Sequence, residues 1–160
     1  MKLGIMQPYF FPYIGYWQLI NCVDEFVIYD DVNYIKKGWI NRNRILFNGE
    51  PKQINLKIKN ASQNKLIKDT RLAQTTKDSQ ELLLLLKQSY RKAPYFDSVY
   101  GMLEQLLINE YSVLSECLSF ILKEVCAYLG IKTKRILSSE IEKNDQLKGE
   151  EKRGFWHDGG

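Results

Sequence analysis

The sequence has few of the residues that form common catalytic and metal sites. Its 160 residues contain one histidine, His157, close to the end of the chain. No group of carboxylates has the spacing of metal ligands, so the sequence predicts no metal site. It contains no GxGxxG, Walker or GxSxG motif and no set of residues spaced for a Ser-His-Asp or Cys-His triad. An enzyme with this sequence would depend on Asp, Lys, Arg and Tyr, and no particular cofactor is indicated.

Paired cysteines and long apolar runs are also missing. The three cysteines, Cys22, Cys117 and Cys126, form no CxxC motif and all lie among apolar residues. Cys117 and Cys126 fall about 180° apart on one predicted helix and cannot bridge within it. We expect all three to be free core residues in a reducing compartment. No apolar run approaches the about 18 residues of a membrane span, and the start of the chain lacks a signal-peptide pattern. These features predict a cytoplasmic protein without a membrane span.

Positive charge is concentrated in one part of the chain. The net charge is +4, yet residues 34–59 hold seven basic residues against one acid, Glu50. The basic residues are Lys36, Lys37, Arg42, Arg44, Lys52, Lys57 and Lys59. Such a surface indicates an anionic partner such as a phosphate, a nucleotide or a nucleic acid. A solvated strand face is the simpler alternative.

The first third of the chain predicts a βαβ unit. Residues 3–6 and 26–29 are short apolar runs typical of buried strands, and a helix is expected over residues 13–23 with Pro12 in its first turn. Strands joined in this way are parallel. Asn48-Gly49 lies between two further strand-like runs and predicts a hairpin turn.

The rest of the chain is predominantly helical. Residues 60–78 are polar and predict a loop with a short helix, and helices are expected over residues 80–92, 98–109 and 112–129. Gly130 is expected to cap the last helix, and the sequence KTKRILSS predicts a strand that returns to the parallel sheet. The predicted class is α/β, with a parallel Rossmann-like sheet core, an inserted β-hairpin and a helical segment.

Two segments are expected to meet at the carboxyl edge of this sheet, where ligands bind in open parallel sheets. One is the stretch MQPYFFPYIGYWQ, with six aromatic residues in thirteen, and the other is Asp30-Asp31. The loop is either packed core or one wall of a ligand cleft, in which Tyr13 and Tyr16 offer hydroxyl groups. The aspartates either cap the strand end or act as a base, a metal ligand or a hydroxyl anchor. Since neighbouring strand residues alternate in direction, we expect one of the two to face the cleft.

The densest polar cluster is KKGWINRNR, residues 36–44. On a strand, Arg42 and Arg44 share one face and Asn41 and Asn43 the other. Two guanidinium groups on one face suit the capture of a phosphate or carboxylate. A charged, solvated edge strand is the alternative.

These stretches resemble the WbqC-like protein family of bacteria. The resemblance runs through MQPYFFPYIGYWQLI, DEFVIYDDVNYIKKGWINRNRI, YRKAPYF and LGIKTKRILSSEI. It implies a single domain over residues 1–153, incomplete at its C-terminal side, followed by a tail at residues 154–160 that does not match the family. It also implies an enzyme of O-antigen or other surface-polysaccharide biosynthesis. The positions that match the family motifs are Gln7, Pro8, Pro12, Gly15, Asp30, Asp31, Lys36, Trp39, Asn41, Arg42 and Asn43.

A fainter resemblance links the first strand and loop to HIGH-type nucleotidyltransferases. Tyr13-Ile14-Gly15-Tyr16 occupies the position of the HIGH motif, with tyrosine in place of both histidines. This resemblance implies a nucleotide over the start of the first helix.

The sequence thus predicts a transferase that acts on an anionic small molecule: a nucleotide, a nucleotide-sugar or an acyl thioester. Asp30, Asp31 and Lys36 are the predicted catalytic residues. The predicted ligand-binding residues are Gln7, Pro8, Tyr13, Gly15, Tyr16, Trp39, Asn41, Arg42, Asn43 and Arg44. One alternative is a nucleic-acid-binding module that uses the basic hairpin at residues 36–59. It ranks behind the transferase because no known nucleic-acid-binding pattern is present. The other alternative is a non-catalytic partner subunit.

Overall fold

The structure is a computed structural model that describes residues 1–142. The end of the predicted domain and the predicted tail at residues 154–160 lie outside the described residues. The elements in chain order are β1 (Leu3–Met6), α1 (Ile14–Cys22), β2 (Glu25–Ile28), β3 (Arg42–Phe47), β4 (Glu50–Asn55), a 3-10 turn (Ile67–Asp69), α2 (Thr76–Tyr90), α3 (Phe96–Ile108), α4 (Leu114–Tyr128), β5 (Lys134–Leu137) and a second 3-10 turn (Ser138–Glu140).

The predicted βαβ unit and the returning strand are confirmed. Strands β1, β2 and β5 form a three-stranded parallel sheet with β2 in the centre. Met6 of β1 and Leu137 of β5 both lie opposite Ile28, so all three strands end at the same edge. The mixed α/β class, with a separate hairpin and a helical segment, is therefore the observed one.

The hairpin forms at the predicted turn. β3 and β4 pair in antiparallel register, with Phe47 opposite Glu50. Asn48 and Gly49 have φ angles of 52° and 81°, as the right-handed twist of a two-residue hairpin requires. Asn tolerates the left-handed region and Gly has no side chain to oppose it, which explains why this pair closes the hairpin.

Three helices follow, and their boundaries differ slightly from the predicted ones. Helix α2 begins at Thr76, four residues before the predicted start, because Thr75 and Asp78 form a capping box that satisfies the first free N–H groups. The prediction of a loop up to residue 78 is wrong at this point. Gly130 caps α4 with a φ angle of 70°, as predicted. Of the helices within residues 1–142, none has both the length and the apolar surface to cross a bilayer.

The core has two clusters, and α4 contributes to both. The first cluster packs the hairpin against α2, α3 and α4, and it contains Cys117. The second packs α1 against the parallel sheet and α4, and it contains Cys126. The two cysteines lie on opposite sides of α4, so this helix joins the hairpin part of the molecule to the sheet part.

Two predictions about α1 are wrong. Pro12 lies before the helix, which begins at Ile14. Cys22 is exposed, whereas Cys117 and Cys126 are buried. The residues of α1 that face the sheet include Ile20, and Cys22 is about 200° around the helix from it. Cys22 therefore faces solvent.

Of the three cysteine thiols, we expect only that of Cys22 to react with a thiol reagent in the native protein. Burial raises the pKa of Cys117 to about 12 and also raises that of Cys126, which keeps both in the unreactive thiol form at neutral pH. Titration with dithionitrobenzoate should count one thiol per chain in buffer and three in denaturant. The variant Cys22→Ser should lose the native reaction, and rapid reaction of all three native thiols would contradict this packing.

Candidate functional site

The carboxyl edge of the sheet brings two aspartates and two serines together. Asp30 and Asp31 follow β2, and Ser138 and Ser139 follow β5. The hydroxyl of Ser138 lies 3.0 Å from Asp30 Oδ1 and 2.5 Å from Asp31 Oδ1, and it accepts the backbone N–H of Asp30 at 3.0 Å. Ser139 donates to the Asp30 carboxylate from its backbone N–H at 3.0 Å and from its hydroxyl at 2.8 Å.

The two aspartates therefore differ in their surroundings, although both approach one hydroxyl. Asp30 is 1% exposed, and its carboxylate receives hydrogen bonds from both serines. Asp31 is half-buried. Both side chains approach the Ser138 hydroxyl and do not alternate in direction, because β2 ends at Ile28 and the strand alternation does not extend to residues 30 and 31. That one of the two faces the cleft stays a prediction.

The aromatic loop divides into buried and exposed parts. Phe10 is fully buried in the first core cluster, and its N–H donates to the carbonyl of Ile40 at 3.0 Å. Tyr16 is 1% exposed in the second cluster, its hydroxyl donates to the carbonyl of Gln7 at 3.0 Å, and burial raises the pKa of its phenol far above the ordinary value. Tyr13, in contrast, is 71% exposed. The same loop thus contributes buried side chains to the core and leaves the ring of Tyr13 accessible.

Asn43 fastens this loop to the hairpin. Its side-chain amide donates to the carbonyl of Phe10 at 3.1 Å and to that of Phe11, and its side-chain oxygen accepts the N–H of Arg44 at 2.7 Å. Asn41 has a comparable role deeper in the hairpin, where it accepts from the hydroxyl of Tyr34 at 2.7 Å and donates to a backbone carbonyl. Both carboxamides are engaged with the protein itself.

A cavity of about 320 Å³ opens between the loop and the hairpin. We call it the loop cavity, and it is lined by Tyr9, Phe10, Pro12, Tyr13, Trp39 and Asn43. Three of the predicted ligand-binding residues, Tyr13, Trp39 and Asn43, are therefore brought together. Gly15 contributes indirectly, because a Cβ there would lie 2.4 Å from the Tyr13 ring, so the missing side chain lets that ring lie over the start of α1.

Arg42 and Arg44, the two arginines predicted to bind the ligand, both lie beside the Trp39 ring. The guanidinium carbons of Arg42 and Arg44 are 5.8 and 5.6 Å from the ring centre. Arg42 also donates from Nε to the carbonyl of Gly38 at 2.8 Å and from Nη2 to that of Lys37, so its head group holds the preceding turn. Arg44 is exposed, and no ion pair within residues 1–142 includes it. Arg44 is thus the better placed of the two to bind an external anion.

The remaining predicted residues lie apart from the loop cavity. Gln7 and Pro8 continue directly from β1, where Gln7 is half-buried and Pro8 is buried, and Lys36 is exposed in the segment before β3. None of the three lines the loop cavity. Some of the basic residues are already engaged: Lys57 pairs with Asp78 at 2.5 Å, and Lys52 lies over the Phe47 ring.

Sequence reasoning missed a second cavity, of about 350 Å³, which also borders the hairpin and shares Asn43 with the loop cavity. We call it the corner cavity, and it lies between the hairpin and the turn that joins α2 to α3. Its apolar wall includes Phe11, Ile45, Ile54, Leu86, Val99 and Leu103, and its polar lining residues are Asn43, Arg44, Tyr90 and Tyr100. The sequence YRKAPYF marks this turn, but a local pattern does not show that the turn faces the hairpin. The serines at the sheet edge were also missed, although their position after a strand matches that of the aspartates.

Within the described part of the chain, no group of three His, Cys, Asp or Glu residues could hold a metal ion. The geometry instead defines a mixed α/β protein with an aromatic cavity next to two guanidinium groups. The model of the WbqC-like protein family matches residues 7–153, and the chain belongs to this family.

The chain is similar to a mycobacterial protein. It is 32% identical over 146 residues to the uncharacterized protein Rv1507c of Mycobacterium tuberculosis, an alignment that covers 90% of this chain and 63% of the relative. The chain thus spans less than two thirds of that relative's length. No solved structure matches the chain.

We expect Ser138→Ala to destabilise the protein. Ser138 is fully buried. Without its hydroxyl, the N–H of Asp30 loses its acceptor and the two carboxylates lose the one hydroxyl proton that they share, at a cost of about 1–3 kcal/mol in the free energy of unfolding. Denaturant unfolding measures this change. Ser112→Ala, the same change at an exposed serine, is the control and should have little effect. Equal stability of both variants would show that the sheet edge does not depend on Ser138.

We expect Asn43→Asp to loosen the aromatic loop. The carboxylate keeps an acceptor for the Arg44 N–H but cannot donate to the carbonyls of Phe10 and Phe11. Amide hydrogen exchange over residues 9–11 should accelerate, and unfolding should become easier by about 1–3 kcal/mol. Asn55→Asp, at an exposed position of β4, should change neither. Unchanged exchange in Asn43→Asp would contradict the fastening role.

Proposed function

We propose that this protein is a transferase of bacterial surface-polysaccharide biosynthesis that binds a nucleotide-type activated molecule in the loop cavity. The observation that carries the proposal is the position of Arg42 and Arg44 beside Trp39, which itself lines that cavity. An aromatic cleft bordered by guanidinium groups suits a ligand that combines a flat ring with negative charge.

The size and chemistry of the loop cavity support a small molecule. Its volume of about 320 Å³ falls at the lower end of the range of about 300–1,000 Å³ seen for ligand sites. Exposed Tyr13 and Trp39 offer faces on which a base or a sugar can stack. Arg44 can donate two parallel hydrogen bonds to a phosphate, and its stacking on Trp39 reduces the freedom that binding must remove.

The carboxyl edge of the sheet is the proposed source of the reacting groups. Asp31 is a better candidate for a base or hydroxyl anchor than Asp30, whose carboxylate is buried and bonded to both serines. Lys36 is exposed and would act as a further cation near the anionic group. The proposal also includes the fold: a single domain over residues 1–153 with a Rossmann-like sheet core.

The chain belongs to the WbqC-like family, and the proposed role in polysaccharide biosynthesis rests on resemblance to that family alone. The mycobacterial relative, at 32% identity, is uncharacterized. The activity, the substrates and the partners of the whole protein are thus part of the proposal. The donor could be a nucleotide, a nucleotide-sugar or an acyl thioester, since all three combine an anion with a flat or apolar group.

A nucleic-acid-binding module is the second candidate, and the charge of residues 34–59 favours it. However, several of these charged groups already make contacts within the protein. Lys57 pairs with Asp78, Lys52 lies over the Phe47 ring, and Arg42 donates a hydrogen bond to the preceding turn. This alternative predicts an affinity for an oligonucleotide that falls steeply with salt. A non-catalytic partner subunit would bind neither nucleotide nor oligonucleotide.

Thermal unfolding with ATP, nucleotide-sugars, a CoA thioester and a short oligonucleotide tests the proposal. A ligand of the folded state raises the melting temperature, and calorimetry then gives its affinity. We expect Arg44→Gln to weaken nucleotide binding about tenfold to a hundredfold, since a hydrogen bond to a charged group contributes about 1.5–3 kcal/mol. Trp39→Leu should weaken it as well, through the loss of stacking.

Arg71→Gln is the matched control, because Arg71 is exposed and lines neither cavity. Arg42→Ala is a less direct test than Arg44→Gln, since it also removes the bonds that hold the turn at Lys37 and Gly38. Equal losses in Arg44→Gln and Arg71→Gln would indicate a diffuse charge effect and contradict the site. Stabilisation by the oligonucleotide alone would favour the second candidate.

A further inference from the structure

The corner cavity has the properties of a binding site for an apolar group. Its volume of about 350 Å³ is similar to that of the loop cavity, but its walls are mainly aliphatic and aromatic carbon. The wall comes from three parts of the chain: Phe11 lies on the aromatic loop, Ile45 and Ile54 on the hairpin, and Leu86, Val99 and Leu103 on the helices. Such a surface binds hydrocarbon because burial removes it from water.

The backbone around the corner cavity is held in strained conformations. Phe11, which lines it, has a φ angle of 46°, and Tyr95, between the lining residues Pro94 and Phe96, has a φ angle of 62°. Bulky residues adopt positive φ at a cost, and this strain concentrates at ligand sites. Both strained residues lie at the border of the corner cavity.

The turn is also fastened to the hairpin by a hydrogen bond. The hydroxyl of Tyr90, at the end of α2, accepts the N–H of Leu46 on β3 at 3.2 Å. The ring of Phe96 stacks on that of Tyr100 with centres 5.0 Å apart. These contacts fix two sides of the cavity.

The charge at the cavity selects an anion. Arg44 is the charged member of the lining residues in the described chain, and no ion pair there includes it. Nearby, Lys87 lies 5.7 Å from the centre of the Tyr100 ring, while Glu104 is close enough to raise the pKa of that phenol after the larger effect of burial. These two opposite charges offset each other and leave Arg44 as the selecting charge.

We propose that the corner cavity binds the apolar chain of an amphipathic anion, a medium-chain carboxylate or alkyl phosphate, with the anionic group at Arg44. Asn43 lines both cavities, so the chain of such a ligand would lie next to the loop cavity. This site shares Arg44 with the proposed function but does not depend on nucleotide binding.

Calorimetric titration of the full chain with octanoate and with octyl phosphate tests the site, with octanol as the uncharged comparison. The two anions distinguish a carboxylate from a phosphate ligand. In a series from butanoate to octanoate, we expect the affinity to rise by about fourfold for each methylene that enters the cavity, since each contributes about 0.8 kcal/mol. The chain length at which the increase stops reports the depth of the cavity.

Two pairs of variants separate the apolar and anionic contacts. Ala93→Leu places a larger side chain in the cavity and should abolish the dependence on chain length, whereas Ala127→Leu, at an exposed position of α4, should preserve it. Arg44→Gln should weaken octanoate at least about tenfold and leave octanol unchanged. Arg71→Gln should behave like the unmodified protein. If Ala93→Leu does not fold, the chain-length series still tests the cavity in the unmodified protein.

Absence of saturable binding by the folded full chain to either anion would overturn the proposal. Binding that is the same in Ala93→Leu and Ala127→Leu, or an affinity independent of chain length, would also overturn it. Nucleotide binding provides a separate readout. Ala93→Leu should keep its nucleotide affinity. Loss of anion binding in the corner cavity can therefore be distinguished from loss of nucleotide binding in the loop cavity.

Discussion

The burial of Phe10 in the first core cluster is the constraint on which the site depends. Its ring is fully buried against the hairpin and the helices, while the loop that carries it begins at β1 and ends at α1. The N–H of Phe10 bonds to Ile40, and its carbonyl accepts from Asn43. A side chain of this size contributes about 1.5–3 kcal/mol through burial alone. Its anchoring fixes the position of every exposed residue next to it.

The connection between the two core clusters is α4, whose two sides belong to different clusters. Within residues 1–142 the parallel sheet has three strands, and its core cluster contains residues of this helix and of α1. The chain then returns along β5, which brings Ser138 to Asp30 and Asp31 from more than a hundred residues away. Stability and candidate site thus share the same contacts.

The loop cavity and the corner cavity both border the hairpin, and they differ in their chemistry. The loop cavity presents exposed rings and guanidinium groups, whereas the corner cavity presents hydrocarbon with Arg44 among its lining residues. Asn43 lines both, and its carboxamide holds the loop that separates them.

The sequence by itself determined the elements whose causes are local. Apolar runs predicted the strands, Asn48-Gly49 predicted the hairpin turn, and Gly130 predicted the end of α4, because each depends on neighbouring residues alone. Tertiary structure decided that Tyr16 is buried while Tyr13 is exposed, and that both aspartates approach one hydroxyl. It also decided that a corner cavity exists between segments far apart in the chain. The burial and hydrogen bonds of a side chain depend on partners that the local pattern does not contain.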